Sequence, residues 1–263
     1  MTAVIVGAGL TGLACAADLA PDMRVDVLDR IPVTGGVHGW RAAETVSLTR
    51  AARAGGAVLH LGVTAIRWDD GVLTGVGPEG VLRVVADVLV IAAGSRPLTR
   101  AELVLTGDRP AGVVPAPVAC HLAENGLPVG LRPCVVGGGD WAHRAAHDLL
   151  EAGVRDLTVV APDGLLRSMP VRARCLEGVR PSAIEGASRV TALVAEAERV
   201  ECDAVVLAHR LAPLRNVDGA VWEAPATVFA QPLDDPADAA GAARAGAGAA
   251  AEVRSLLRTS AAA

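Results

Sequence analysis

Two hexapeptides have the spacing of a phosphate-binding turn, Gly7-Ala8-Gly9-Leu10-Thr11-Gly12 and Gly137-Gly138-Gly139-Asp140-Trp141-Ala142. In the first, Gly7 permits a tight turn, Gly9 lets a pyrophosphate approach the backbone, and Gly12 lets the following helix pack on the preceding strand. A helix opening there turns free N–H groups and its positive dipole end toward the phosphates. Asp29 comes 17 residues after Gly12, at the end of the next apolar strand, where a carboxylate can accept bonds from an adenosine ribose. The second loop keeps glycine at 137 and 139 and has Ala142 in sixth place, which still allows close packing. Its next strand ends Ala161-Pro162-Asp163, with Arg167 nearby as an alternative partner for a 2'-phosphate. Two readings stand for this loop: a nicotinamide or adenine nucleotide site, or a retained fold that binds neither.

Three further groups could do chemistry, and each has a plainer reading. Cys120 has Ala123 three residues on and no resolving thiol, so a dithiol mechanism is excluded and a buried structural thiol is expected. His143 and His147 share a helix face at metal-ligand spacing but lack a third ligand, so they read as a helix face near phosphate. Arg167, Arg172 and Arg174 form a basic turn that either meets a phosphate or is solvated.

Composition narrows the chemistry. All 24 basic residues are Arg, and Lys and Tyr are absent. Schiff-base catalysis, a P-loop lysine and a Tyr/Lys proton relay are therefore excluded. A net charge of −5 leaves no basic footprint for nucleic acid. The five cysteines form no CxxC pair and no zinc spacing, which fits a reducing compartment. The start lacks a basic region before its apolar run, and no stretch of about 18 apolar residues is free of charge or glycine. Neither signal peptide nor membrane span is expected, and the location expected is cytoplasmic.

The elements that must position these loops repeat. Ala3 to Val6 reads as a buried strand, Leu13 to Leu19 as an Ala-rich helix and Arg24 to Leu28 as the next strand. The unit recurs as Pro133 to Val136, a helix from about Trp141 to Glu151, and Leu157 to Val160. Two such units mean two nucleotide folds. Between them, residues 57–91 read as short strands with turns at Asp70-Gly71 and Gly77-Pro78, ending in the apolar run Val88 to Ala92. Residues 175–207 echo that pattern, with a weak hairpin and a closing strand Ala204 to Leu207. The Ala-rich tail from Pro236 carries Gly241, Gly246 and Gly248, and reads either as a helix packed on the first fold or as a frayed end.

The order GAGLTG, Gly35-Gly36, VLVIAAGSRP (Val88 to Pro97), GGGDWA and DAVVLAHRLAP (Asp203 to Pro213) resembles the two-dinucleotide-fold flavoprotein superfamily that includes thioredoxin reductase. GDRPAGV (Gly107 to Val113), Cys202-Asp203 and Pro213 to Asn216 resemble more closely the FAD-dependent oxidoreductases that accompany glycerol-3-phosphate dehydrogenases, and relatives in hydrogen cyanide synthase and opine or sarcosine oxidase complexes. The resemblance spans about residues 3–225.

It implies FAD on the first fold, with Gly7, Gly9 and Gly12 at the pyrophosphate, Asp29 at the ribose and Gly35-Gly36 near the flavin. Leu10, Thr11, Arg30, Val63, Ala93 and Gly94 complete that candidate set. NAD(P) is implied on the second fold, at Gly137, Gly139, Asp140 and Trp141. His38 and Trp40 follow Gly35-Gly36 where a side chain could touch a flavin. The Gly-Asp pair usual in the family after a strand like Thr227 to Ala230 is replaced here by Gln231-Pro232-Leu233, with Asp234 and Asp235 following.

The expected architecture is α/β: two Rossmann-like three-layer nucleotide-binding folds, the second inserted in the first. The FAD-binding domain takes residues 1–100 and 212–263, and the NAD(P)-binding-like domain takes 101–211. The expected function is an FAD-dependent oxidoreductase subunit moving a hydride or electron pair between FAD and NAD(P), or to a dehydrogenase or oxidase flavoprotein partner in a hetero-oligomer. The alternative is a noncatalytic nucleotide-binding scaffold or regulatory subunit.

Overall fold

The computed structural model describes residues 1–215, 217–220, 224, 226–230 and 238–261. In chain order, the first part holds β1 (Thr2–Val6), α1 (Leu10–Leu19), β2 (Arg24–Asp29), α2 (Ala43–Ala54), β3 (Val58–Leu61), β4 (Thr64–Asp69), β5 (Val72–Gly77), β6 (Gly80–Val85) and β7 (Val88–Ile91). The chain crosses at β8 (Ser95–Arg96) into β9 (Thr106–Gly107), β10 (Val113–Pro115), α3 (Ala116–Glu124), β11 (Pro133–Val136), α4 (Asp140–Glu151), β12 (Leu157–Ala161), β13 (Ala173–Glu177), β14 (Pro181–Glu185), β15 (Ala192–Ala195), β16 (Glu198–Glu201) and β17 (Ala204–Leu207). It returns at β18 (Ala212–Pro213) to β19 (Thr227–Phe229) and α5 (Ala239–Ala261). Two compact units result, Met1–Ser95 with Pro213–Ala263, and Arg96–Ala212.

Each unit is built on a five-stranded parallel sheet, in the order β19-β7-β1-β2-β3 and β10-β17-β11-β12-β13. Strand side chains alternate between two buried layers, which is why the central strands β1, β7, β11 and β17 read as nearly continuous apolar runs. In the first unit Ala3, Ile5, Val25, Val27, Val88 and Val90 pack toward the helices. Val4, Val6, Leu28, Leu89 and Ile91 pack with Ala65, Trp68 and Leu73 of the antiparallel β4-β5-β6 layer. In the second, Val135, Val159 and Val206 meet the helix layer, while Val136, Val160 and Val205 meet Ile184, Leu193 and Val200. Both units are Rossmann-like and three-layered.

The helices after the glycine loops start earlier than the apolar pattern implies. The first begins at Leu10 rather than Leu13 and the second at Asp140 rather than Trp141, because Gly9 and Gly139 serve as N-caps inside the loops. Residues 58–61 are not part of the antiparallel layer: Asp26 pairs Val58 and Asp29 pairs Leu61 in the parallel sheet. Residues 173–177 likewise belong to a parallel edge strand rather than to the hairpin. Two helices carried too faint a signal to read: α2 buries only Thr45 and Ala52, and α3 buries Ala116, Ala119, Cys120 and Ala123.

The Ala-rich tail is a helix, and its middle glycine is what lets it dock. A Cβ on Gly246 would lie 2.8 Å from the Ala14 Cβ and 2.9 Å from the Cys15 nitrogen, and would run into the Thr11 carbonyl oxygen. Arg254 fastens the same contact, donating to the Asp18 carboxylate at 3.1 Å and to that of Asp22 at 2.9 Å. Close approach of α5 and α1 thus outweighs the helix-propensity cost of the glycine.

Candidate functional site

The first glycine loop leaves β1 at the carboxyl end of the sheet. The Gly7 N–H donates to the Leu28 carbonyl at 2.8 Å, and the Leu13 N–H closes the first helical turn on the Gly9 carbonyl at 2.9 Å. Gly7 sits at φ +113°, and a Cβ there would strike the Ala92 carbonyl. A Cβ on Gly12 would strike the Gly7 carbonyl. Gly9 differs: a Cβ there would meet nothing within 4 Å. Two glycines are therefore demanded by the chain's own packing, and the third faces open space beside the first turn of α1. No acidic residue occupies that turn and no side chain caps it, so its N–H groups and dipole are available to an anion.

Asp29 closes the loop from the side. Its carboxylate accepts the Ala8 N–H at 2.6 Å and the Ile31 N–H at 2.8 Å. A carboxylate has about four acceptor positions, so two stay open to hydroxyl donors. The Gly35–Gly36 turn lies on the same loop: the Gly35 N–H donates to the Ala8 carbonyl at 2.8 Å, and a Cβ on Gly36 would come 3.4 Å from the Gly9 Cα. Gly35 is left-handed at φ +105°, and a side chain there would meet the Gly39 carbonyl and Thr45.

The remaining candidates of this unit have separate settings. Leu10 is buried and Thr11 half-buried, so at Leu10 the backbone rather than the side chain is what a ligand can reach. Arg30 is exposed, Val63 donates its N–H to the Asp29 carbonyl at 2.9 Å, Ala93 lies beside Gly7, and Gly94 is exposed at φ +78°. His38 Nε2 is buried with no hydrogen-bond partner among the described residues, while Trp40 is half exposed with the Arg41 guanidinium 4.5 Å from its ring centre. Gln231, Pro232, Leu233, Asp234 and Asp235 lie outside the described residues.

The second loop repeats this frame bond for bond. Gly137 donates to the Val160 carbonyl at 2.8 Å, His143 to the Gly139 carbonyl at 3.0 Å, and Leu166 to the Gly138 carbonyl at 2.9 Å. The matching donors in the first loop are Gly7, Leu13 and Gly35. The lateral carboxylate has no equivalent: Ala161 stands in β12 where Asp29 stands in β2, each following the strand residue whose carbonyl receives the loop glycine. Gly139 is less open than Gly9, with Leu166 Cδ1 3.6 Å from a Cβ built there. Asp140 is paired with Arg167, and Trp141 packs in the helix layer with its Nε1 buried and unpartnered among the described residues.

His209 is a group that sequence reasoning passed over. It follows β17 and Ala208, its backbone nitrogen is 3.4 Å from a Cβ built on Gly137, and burial lowers its pKa from 6.5 against the opposing charge of Asp163. Its place at the end of the strand beside the loop strand was the available signal.

The other reactive groups are ordinary. Cys120 is 2% exposed, and burial together with the Asp148 carboxylate pushes its thiol up to about 12. His147 faces Asp148 at 3.5 Å, Arg174 pairs with Glu198 at 3.6 Å, and Arg172 is exposed. Among the described residues no group of three His, Cys, Asp or Glu could hold a metal ion, and no helix is long and apolar enough to cross a membrane.

A family model for an NAD(P)-binding Rossmann-like domain matches residues 5–64, which hold the first loop, Asp29 and the Gly35–Gly36 turn. No curated protein matches the chain. Among solved structures, a pyridine nucleotide-disulfide family oxidoreductase from Enterococcus faecalis is similar at TM-score 0.73 and 16% identity, covering 97% of this chain and 69% of that one. Lactococcus lactis thioredoxin reductase is similar at TM-score 0.67 and 18% identity, covering 98% and 99%. An NAD-dependent persulfide reductase from A. fulgidus is similar at TM-score 0.66 and 17% identity, covering 96% and 59%. At these identities the likeness is one of fold.

Proposed function

We propose that this chain is an FAD-dependent oxidoreductase that moves a hydride or electron pair between FAD on its first unit and NAD(P) on its second. The carrying observation is the division of labour in the first loop, where packing occupies Gly7 and Gly12 and leaves Gly9 open beside an uncapped helix. The likeness of fold to a thioredoxin reductase and a pyridine nucleotide-disulfide family oxidoreductase supports the choice of FAD and NAD(P).

The isoalloxazine of FAD, when bound, supplies two-electron chemistry that none of the side chains of this protein provides. The protein's part is to bind, orient and exclude water. The N–H groups of Leu10, Thr11 and Gly12 donate to the pyrophosphate that Gly9 admits. The free lone pairs of Asp29 accept the ribose hydroxyls, with Arg30 and Val63 alongside. Gly35, Gly36, Ala93 and Gly94 frame the path toward the flavin. On the second unit, Gly137 and Gly139 shape the corresponding turn, with Asp140 and Trp141 opening α4.

Ala161 favours a second reading, in which the second unit carries no nucleotide and the flavin exchanges electrons with a partner dehydrogenase or oxidase flavoprotein in a hetero-oligomer, whose substrate is the reductant. The absorbance spectrum of the purified protein after incubation with FAD tests the first unit: flavin bands that survive gel filtration are expected, and a colourless protein would overturn the proposal. Anaerobic addition of NADH and NADPH then separates the readings. Bleaching supports nucleotide use by this chain, and a flavin that stays oxidised supports the partner route.

A further inference from the structure

The segment from Arg30 to Ala54 is basic and carries exposed apolar side chains. Arg30, Arg41, Arg50 and Arg53 lie in it against Glu44 alone, in a protein whose net charge is −5. Arg30, Arg50 and Arg53 are exposed and make no ion pair among the described residues, and Arg41 stacks on Trp40. Thr34, Trp40, Val46, Thr49, Arg50 and Arg53 line an open groove of about 550 Å³ along α2. Its floor is ordered by a bond from the Thr49 hydroxyl to that of Thr34 at 3.1 Å. Exposed apolar groups crowd the same stretch: Ile31 at 41%, Val37 at 79%, Trp40 at 52% and Val46 at 43%.

Trp and Arg are the residues enriched in protein-binding hot spots. Four cations against one anion select the charge of the partner, because unlike charges steer encounter and like charges suppress it. A small anion would be held by buried donors, whereas Arg50 and Arg53 stand on the exposed side of α2, Arg30 and Arg41 are exposed in the chain before it, and the groove is open.

We infer that the groove along α2 is a docking surface for an acidic segment of another protein, one that sets carboxylates against Arg41, Arg50 and Arg53 and an apolar side chain beside Trp40 and Val46. This gives the hetero-oligomer reading a place and a partner chemistry and rests on it only in that respect, since Arg41, Val46, Arg50 and Arg53 lie outside the residues assigned to the flavin.

The test is fluorescence anisotropy of a short labelled peptide of Glu with interspersed Leu, added to the full chain. Saturable binding is expected, weakening as added salt shortens the Debye length to below about 8 Å. Arg50→Ala/Arg53→Ala should weaken it roughly tenfold, as loss of two steering charges does. Trp40→Ala should weaken it in salt-independent fashion, and Arg67→Ala/Arg83→Ala, on the antiparallel layer, should leave it unchanged. Arg50→Glu/Arg53→Glu gives a second, charge-reversed pair on the same exposed helix face. Gly9→Val, which fills the nucleotide loop, should leave peptide binding intact, so failure of the flavin reading and of this one are told apart. Absence of saturable binding, or binding indifferent to the Arg50 and Arg53 changes, overturns the inference. Displacement of the peptide by inorganic phosphate or AMP would mark a small-anion site and overturn it too, as would a homodimer in light scattering that those changes dissolve.

Discussion

The Asp29 carboxylate and the Ala8 N–H are 2.6 Å apart, so the acid that ends β2 is bonded to the turn that leaves β1. Asp29 is therefore part of the loop's frame as well as the group facing a ribose. Asp29→Ala should leave the buried Ala8 N–H without its acceptor and destabilise the protein by about 1–3 kcal/mol, while weakening FAD retention. Asp29→Asn keeps one of the two acceptor oxygens and sets its NH2 against the other N–H, so it should recover only part of the stability and little of the nucleotide affinity. Thermal unfolding with and without FAD separates the two effects; equal losses in both variants would show that Asp29 is only structural.

Gly9 and Gly12 should respond in opposite ways. Gly9→Val places a side chain in open space at φ −71°, so the fold should survive while FAD binding is abolished. Gly12→Ala forces a Cβ against the Gly7 carbonyl and should cost about 1–3 kcal/mol of stability. Flavin occupancy of folded Gly9→Val is the deciding measurement, and full retention would refute the assignment of this loop.

Two glycines of α5 give a second contrast. Gly248 is exposed, with nothing within 4 Å of a built Cβ, so Gly248→Ala should stabilise by up to about 1 kcal/mol. Gly246→Ala gains the same propensity yet meets Thr11, Ala14 and Cys15, and should be destabilising. Chemical denaturation reads both signs; equal gains would mean that α5 does not press on α1.

The buried thiols should be inert. Burial raises Cys15 and Cys120 to about 12 and Cys202 to about 11, so the thiolate is scarce at neutral pH. In the native protein a thiol reagent should modify Cys175, which is partly exposed, ahead of the other four, and all five should react after denaturation. Cys120→Ser should leave electron transfer essentially intact, and a large loss of turnover in the folded variant would overturn its structural role.

His209 predicts a pH dependence. Its native pKa lies below the ordinary value near 6.5 because burial favours the neutral ring. Below about pH 6.5 the unfolded chain takes up a proton that the native chain resists, so stability falls as pH falls, and the effect is absent above that window. His209→Asn should flatten the fall in stability below about pH 6.5. An unchanged profile would mean that His209 titrates normally.

The sequence by itself determined the two glycine loops, their order between apolar strands, the acid after β2, and the chemistry excluded by absent Lys, Tyr and CxxC. Those features are local: a turn needs glycine at fixed offsets, and a strand buried on both faces needs an uninterrupted apolar run. What the tertiary structure decided is relational. Nothing in the order of residues shows that a Cβ on Gly246 would meet Thr11, that Ala161 stands where Asp29 does, or that Val58–Leu61 pairs with β2 rather than with its own neighbours. Helix α2 was illegible because it buries two small side chains and turns its arginines to solvent, so its amphipathic signal is weak. The tail was undecided because helix propensity is a per-residue quantity, whereas the fit of a glycine against the α1 backbone exists only once the two helices meet.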